Sequence, residues 1–333
     1  MPGDNPELRN WETELMNQSE TKKPVLEIIK SYSLYLAFMV IFVAFSLLNE
    51  NFLSINNVLN IIVQSSIIAI IAVGQTMVIL TSGIDLSVGS IVGAAGIGIG
   101  LLMVSGMPIP IAVLIGVLIG CALGLINGVI ISYGRVPAFI ATLGMMGIAR
   151  GFGLALNEGK PVAGLPLAFE KIASANVGGI PIFVFYTLII YLIMFVILER
   201  TKFGRYIYAI GGNRDAARLS GVKVKVIETI VYLFSGLFSG LGAILLTARL
   251  NYATPVAGTG YELDTIAAVV IGGTALSGGQ GRIIGTLVGA LMLGILRNGL
   301  TIVNVSSYFQ QIIIGSVIII AVFADKLNEK KNN

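Results

Sequence analysis

Asp85, Arg150, Asp264 and Arg297 stand within or beside long apolar runs, where an ionisable side chain is costly to hold. Such groups relay protons, hold ions or counter one another. The rest of the chemical repertoire is thin. The 333 residues include no histidine and one cysteine, Cys121. That removes the common general base, a Ser-His pair, a thiolate metal cluster and an intrachain disulfide. No Gly-x4-Gly-Lys-Ser/Thr stretch cradles a phosphate, and Gly278-Gly279-Gln280-Gly281 lacks the following Lys. Paired hydrolase-like acids, metal-ligand spacing and an aromatic-basic nucleic-acid surface are also missing. The expectation is therefore no enzyme, no metal site, no cofactor of its own and no nucleic-acid partner. Buried carboxylates are too few for the relay of a proton- or sodium-coupled carrier. Energy for uphill movement of a solute has to enter from outside this polypeptide.

Uncharged polar groups inside the apolar runs are more plentiful, and most serve as hydrogen bonds between helices. A few suffice to pass a neutral hydroxylated solute. Gln75, Asp85, Asn127 and Asn298 are the candidates for a path or gate. Asp85 lies in Gly83-Ile84-Asp85-Leu86-Ser87-Val88-Gly89, which reads as an interrupted helix. Its carboxylate either caps the next half-helix or forms a polar gate. Arg150 either snorkels to an interface or belongs to a path.

The elements that must position these residues are membrane spans. The chain is 56% apolar and 11% charged, with a mean hydropathy of +0.91, against roughly 25% charged residues in soluble domains. Apolar runs near 33–48, 58–80, 86–105, 109–131, 136–156, 180–198, 226–248, 263–277, 283–303 and 308–324 predict about ten transmembrane helices. The first and eighth runs are short, so some segments are expected to be broken or re-entrant. The fold class is all-α integral membrane, with one permease-like body over 31–325 between a polar tail at 1–30, which holds Trp11, and a tail at 326–333. The first tail does not read as a cleavable signal. With the N-terminus inside, sixteen of the 21 Lys and Arg fall on the inner side. Both termini are then cytoplasmic, by the positive-inside bias.

Two landmarks suggest an internal repeat. Gly83–Gly89 echoes Gly273-Thr274-Ala275-Leu276-Ser277-Gly278-Gly279, and Gly124-Leu125-Ile126-Asn127-Gly128 echoes Gly294-Ile295-Leu296-Arg297-Asn298-Gly299. Gly116, Gly120, Gly124 and Gly128 recur at a spacing of four, as small residues do where helix backbones approach closely. A smooth lining for a solute path is the other reading.

The one long charged interruption in the body of the chain is 199–225, with seven Lys or Arg against Glu199 and Asp215. Within it Gly212, Asn213, Arg214, Asp215, Ala216, Ala217, Arg218, Leu219, Ser220 and Gly221 read as a short capped helix. Two turns are too few to be stable alone in water. Such a helix packs on its own protein or docks into a partner, and a partner is expected.

Four stretches carry a resemblance: ILTSGIDLSVGS (79–90), VPAFIATLG (136–144), GRYIYAIGGNRDAARLSGV (204–222) and GTGYELDTIAAVVIGGTALSGGQG (258–281). They resemble the permease subunits of bacterial ABC importers for simple sugars, the ribose type most of all, across roughly 30–325. The resemblance implies about ten spans in the bacterial plasma membrane and a permease dimer within membrane lipid. It also implies a cytoplasmic ATPase subunit that binds ATP and Mg, and an extracytoplasmic sugar-binding protein. On this likeness Gly212–Gly221 corresponds to the coupling helix that the ATPase grips. The polar tail at 1–30 departs from the family's short N-terminus. The competing reading is a secondary carrier or facilitator acting alone; a membrane-embedded enzyme is remote.

Overall fold

The computed structural model describes residue 34 and residues 36–332; the tail at 1–30 and its Trp11 lie outside the described residues. Thirteen α-helices follow one another among the described residues. They are α1 (Leu36–Leu48), α2 (Ile55–Leu80), α3 (Val88–Val104), α4 (Ile109–Ser132), α5 (Ala138–Leu156), α6 (Leu167–Ser174) and α7 (Ile182–Arg200). Then come α8 (Lys202–Gly212), α9 (Arg214–Leu219), α10 (Val224–Leu250), α11 (Tyr261–Ile271), α12 (Ile283–Ile302) and α13 (Ser307–Asn332). The strands β1 (Asn176–Val177) and β2 (Ile180–Pro181) form a two-stranded antiparallel hairpin.

Each of the ten apolar runs becomes a helix, but among the described residues only α2, α4, α5, α7, α10 and α12 are long and apolar enough to cross a membrane. The run at 263–277 shortens to the eleven residues of α11 because Gly273, at φ +85°, ends it. At 1.5 Å per residue α11 spans about 16 Å, half of a hydrocarbon core of about 30 Å.

Two long helices form the centre. Buried residues make up 78% of the span of α2 and 67% of that of α10, against 22% for α4 and α5 at the rim. Rim faces carry Leu114, Leu118, Ile140, Ile148 and Leu192, all more than 50% exposed. Such surface belongs in lipid. Pairing is exchanged between the halves: α10 packs on α3 and α4, while α2 packs on α11 and α12.

Glycine lets the central helices meet. A methyl on Gly124 would overlap the Tyr232 carbonyl oxygen, and on Gly120 the Gly236 carbonyl oxygen, so α4 and α10 touch backbone to backbone. Gly128 lies against Thr229 and Gly116 against Ile99. The α11–α12 contact repeats this device with Gly285 on Gly272 and Gly289 on Ala268. Small residues at four-residue spacing produce these approaches.

The repeat landmarks do not keep one register. Gly83–Gly89 joins α2 to α3, whereas Gly273–Gly279 joins α11 to α12, yet the second pair of landmarks falls inside α4 and α12. Aligning the first pair would match α12 to α3; aligning the second matches it to α4.

Candidate functional site: a capped helix on a knot of loops

The residues that join α2 to α3, α4 to α5, α8 to α9 and α11 to α12 gather at one end of the bundle. Backbone contacts bind three of these segments. The Gly279 N–H donates to the Leu80 carbonyl at 3.0 Å, and Ser82 Oγ donates to the Ser277 carbonyl at 2.7 Å. Gly211 presses on both Leu80 and Gly279 with no room for a side chain. Tyr208 Oη donates to the Gly281 carbonyl at 3.0 Å. Burial, with Glu199 adding to it, pushes the Tyr208 phenol up to about 12, so this donor keeps its proton at physiological pH.

On this knot stands α9. The Asn213 side chain caps it by accepting from the Ala216 N–H at 2.9 Å. Gly221, at φ +85°, closes it, with the Gly221 N–H on the Arg218 carbonyl at 3.1 Å and the Val222 N–H on the Ala217 carbonyl at 3.1 Å. Ala217 is buried with Ile210 and Val224. Arg214 grips Glu228 of α10 with two prongs, Nε to Oε1 at 2.7 Å and Nη2 to Oε2 at 2.8 Å. That contact raises the Arg214 pKa above its ordinary value. Asp215, Arg218 and Leu219 stay exposed, with Arg218 Nη2 at 3.5 Å from Asp215 Oδ1 and Leu219 84% exposed.

Asp85 and Asn127 share a buried polar knot behind this end. Asp85 Oδ1 accepts from the Ser87 N–H at 2.8 Å and from Ser87 Oγ at 2.6 Å, while Oδ2 accepts from Ser235 Oγ at 2.7 Å. Asn127 Nδ2 donates to Ser87 Oγ at 2.9 Å. The carboxylate thus makes an Asx turn and ties the α2–α3 connection to α10 and, through Ser87, to α4. Gln75 is fully buried, and neither atom of its amide has a partner. Asn298 lies at the opposite end, in a reciprocal amide pair with Asn57 at 2.8 and 2.9 Å. The structure therefore joins Asp85 to Asn127 and separates both from Asn298.

Arg150, Asp264 and Arg297 each find a polar partner within the chain. Arg150 Nη1 donates to the carbonyls of Pro255 and Ala257 at 2.8 and 3.3 Å, fastening the α10–α11 connection to α5. Arg297 Nη2 meets Asp264 Oδ1 at 2.6 Å.

Two features escaped sequence reasoning. Glu228 sits inside an apolar run, and nothing in the sequence links it to Arg214. Helix α8 was legible in retrospect: Phe203, Ile207 and Ile210 mark one face of an amphipathic helix.

Residues 57–322 match the family described as "Branched-chain amino acid transport system / permease component". This chain belongs to that permease family. The ribose import permease protein of Escherichia coli K12 is 47% identical to the permease over 294 residues, covering 87% of this chain and 92% of that relative. The ribose import permease protein of Bacillus subtilis 168 is 43% identical, covering 88% and 91%. The galactose/methyl galactoside import permease protein of Escherichia coli K12 is 38% identical over 325 residues, covering 92% and 97%. No solved structure matches the permease.

Proposed function

We propose that this chain is the transmembrane permease subunit of an ATP-driven ABC importer for a monosaccharide, ribose-like in type. Identity of 38–47% along most of the chain to import permeases named for ribose and for galactose and methyl galactoside carries this reading. The family description names branched-chain amino acids, whereas these relatives are named for sugars.

The working assembly in this proposal is two permease copies in the lipid of the bacterial plasma membrane, two cytoplasmic ATPase subunits holding ATP and Mg, and an extracytoplasmic sugar-binding protein. Ten segments, some incomplete, run between cytoplasmic termini. Helix α9 is the coupling element, and the exposed Leu219 beside Asp215 and Arg218 fits a partner cleft. Nucleotide closure of the ATPases draws the two α9 helices together. Arg214–Glu228 carries that motion into α10, and the Gly211 contact carries it into the loops after α2 and α11.

Reconstitution into liposomes with the ATPase and the binding protein tests this. ATP-dependent uptake of labelled ribose is expected, with uptake and ATPase capture both lost in Leu219→Asp. Uptake by the permease alone, without ATP, would overturn the proposal and favour a secondary carrier.

A further inference from the structure

Far from the docking helix, a cavity of about 310 Å³ opens among α2, α10, α11 and α12. That is the low end of the roughly 300–1,000 Å³ range of small-molecule clefts. Its walls include Gln64, Ser65, Arg249, Tyr261, Asp264 and Arg297. Three observations make it more than a packing defect. Ser65 is 2% exposed and its Oγ has no hydrogen-bond partner. Asp264 gives only Oδ1 to Arg297, so Oδ2 is not engaged by that pair. Arg249 makes no ion pair or side-chain hydrogen bond among the described residues.

The approach to the cavity is also polar. Asn56, Asn60 and Gln64 are exposed at four-residue spacing on the first half of α2, and Gln64 lines the cavity. On α12 the half-exposed Arg297 lies one turn before the exposed Thr301. An exposed amide stripe does not face hydrocarbon, where unpaired polar groups are costly. This face therefore borders water or protein. Ionisable groups at membrane depth mark solute paths.

We infer that this cavity is a hydroxyl-reading way-station for the sugar within the permease, entered along the Asn56–Asn60–Gln64 stripe. The ligand class is a neutral polyhydroxylated ring. A sugar hydroxyl both donates and accepts, and the cavity offers a carboxylate oxygen, a guanidinium, an amide and two hydroxyls. Asp264 and Arg297 offset one another and Arg249 is left over as a hydrogen-bond donor, so an anion such as phosphate is the competing ligand that the test has to separate. Selection by the permease itself goes beyond delivery by a binding protein. The inference rests on the sugar-importer reading above.

The test uses the full complex in liposomes with labelled ribose. Gln64→Leu and Arg249→Gln leave the Asp264–Arg297 pair intact. Each is expected to lower ATP-driven uptake at least tenfold, while ATP hydrolysis stimulated by the loaded binding protein changes less than twofold. In a Cys121→Ser background, Asn60→Cys and Gln64→Cys are expected to react with a membrane-impermeant thiol reagent added on the binding-protein side. Ribose should slow the reaction at Gln64→Cys several-fold. Wild-type uptake together with unchanged uptake in both variants would overturn the site and leave the importer reading standing. Protection by inorganic phosphate rather than ribose would also overturn it. Absence of uptake by the wild type would instead sink the importer reading.

Discussion

Arg214 and Glu228 lie fourteen residues apart and meet through two parallel hydrogen bonds of 2.7 and 2.8 Å. Arg214 projects from a helix too short to hold itself, and Glu228 comes from the foot of a central helix. The guanidinium that reads as a partner contact in the sequence is thus occupied within the chain.

Removing that pair should uncouple α9 without dissolving the fold. Arg214 is 57% exposed but Glu228 only 9%, so losing the guanidinium leaves a nearly buried carboxylate unpaired, at a cost of about 1–3 kcal/mol. Arg214→Ala is expected to leave the melting temperature within a few degrees while transport per ATP falls at least fivefold. Parallel assays of uptake and hydrolysis on the reconstituted complex check this.

Leu219 should behave in the opposite way. It is 84% exposed, and replacing it with Asp touches no buried neighbour, so stability should stay within about 0.5 kcal/mol. Capture of the ATPase subunit by the purified permease should drop at least tenfold. Retained capture would show that α9 is not the gripping surface.

Gly124 and Gly236 admit no side chain. The α4–α10 contact offers backbone atoms rather than flexible side-chain ends to a new methyl. Gly124→Val should therefore cost more than about 3 kcal/mol, a loss of the overpacking kind. Thermal unfolding in detergent measures it, and an unchanged transition would refute the close approach. Gly144→Ala, where a Cβ meets nothing within 4 Å, is the control.

Asp85 accepts three hydrogen bonds while fully buried. Asp85→Ala leaves Ser87 and Ser235 without their acceptor and is expected to destabilise by about 2–4 kcal/mol. Asn298→Leu, at the other end, breaks only a half-buried amide pair and should cost about 1 kcal/mol. Comparable losses from both would argue against the separation of the two sites.

The all-helical membrane class was legible because apolar runs of span length follow directly from bilayer thickness. The capped helix at 213–221 was legible too, since Asn213 and Gly221 announce their positions by residue type. Helix length was less so. A run such as 263–277 keeps its apolar composition through Gly272 and Gly273, and only the backbone shows where the helix stops. Pairings across the fold were beyond reach. Asn127 and Asn298 look alike in sequence, yet one bonds Ser87 and the other Asn57 at opposite ends. Arg214 looks free until α10 is folded beside it.

The contact of Gly211 with Leu80 and Gly279 has a mechanical meaning. Main chain bears on main chain there, with no compliant methylene cushion between the segments. Were α9 pulled, as the importer reading requires, the end of α8 would push directly on the loops after α2 and α11, like gear teeth in mesh.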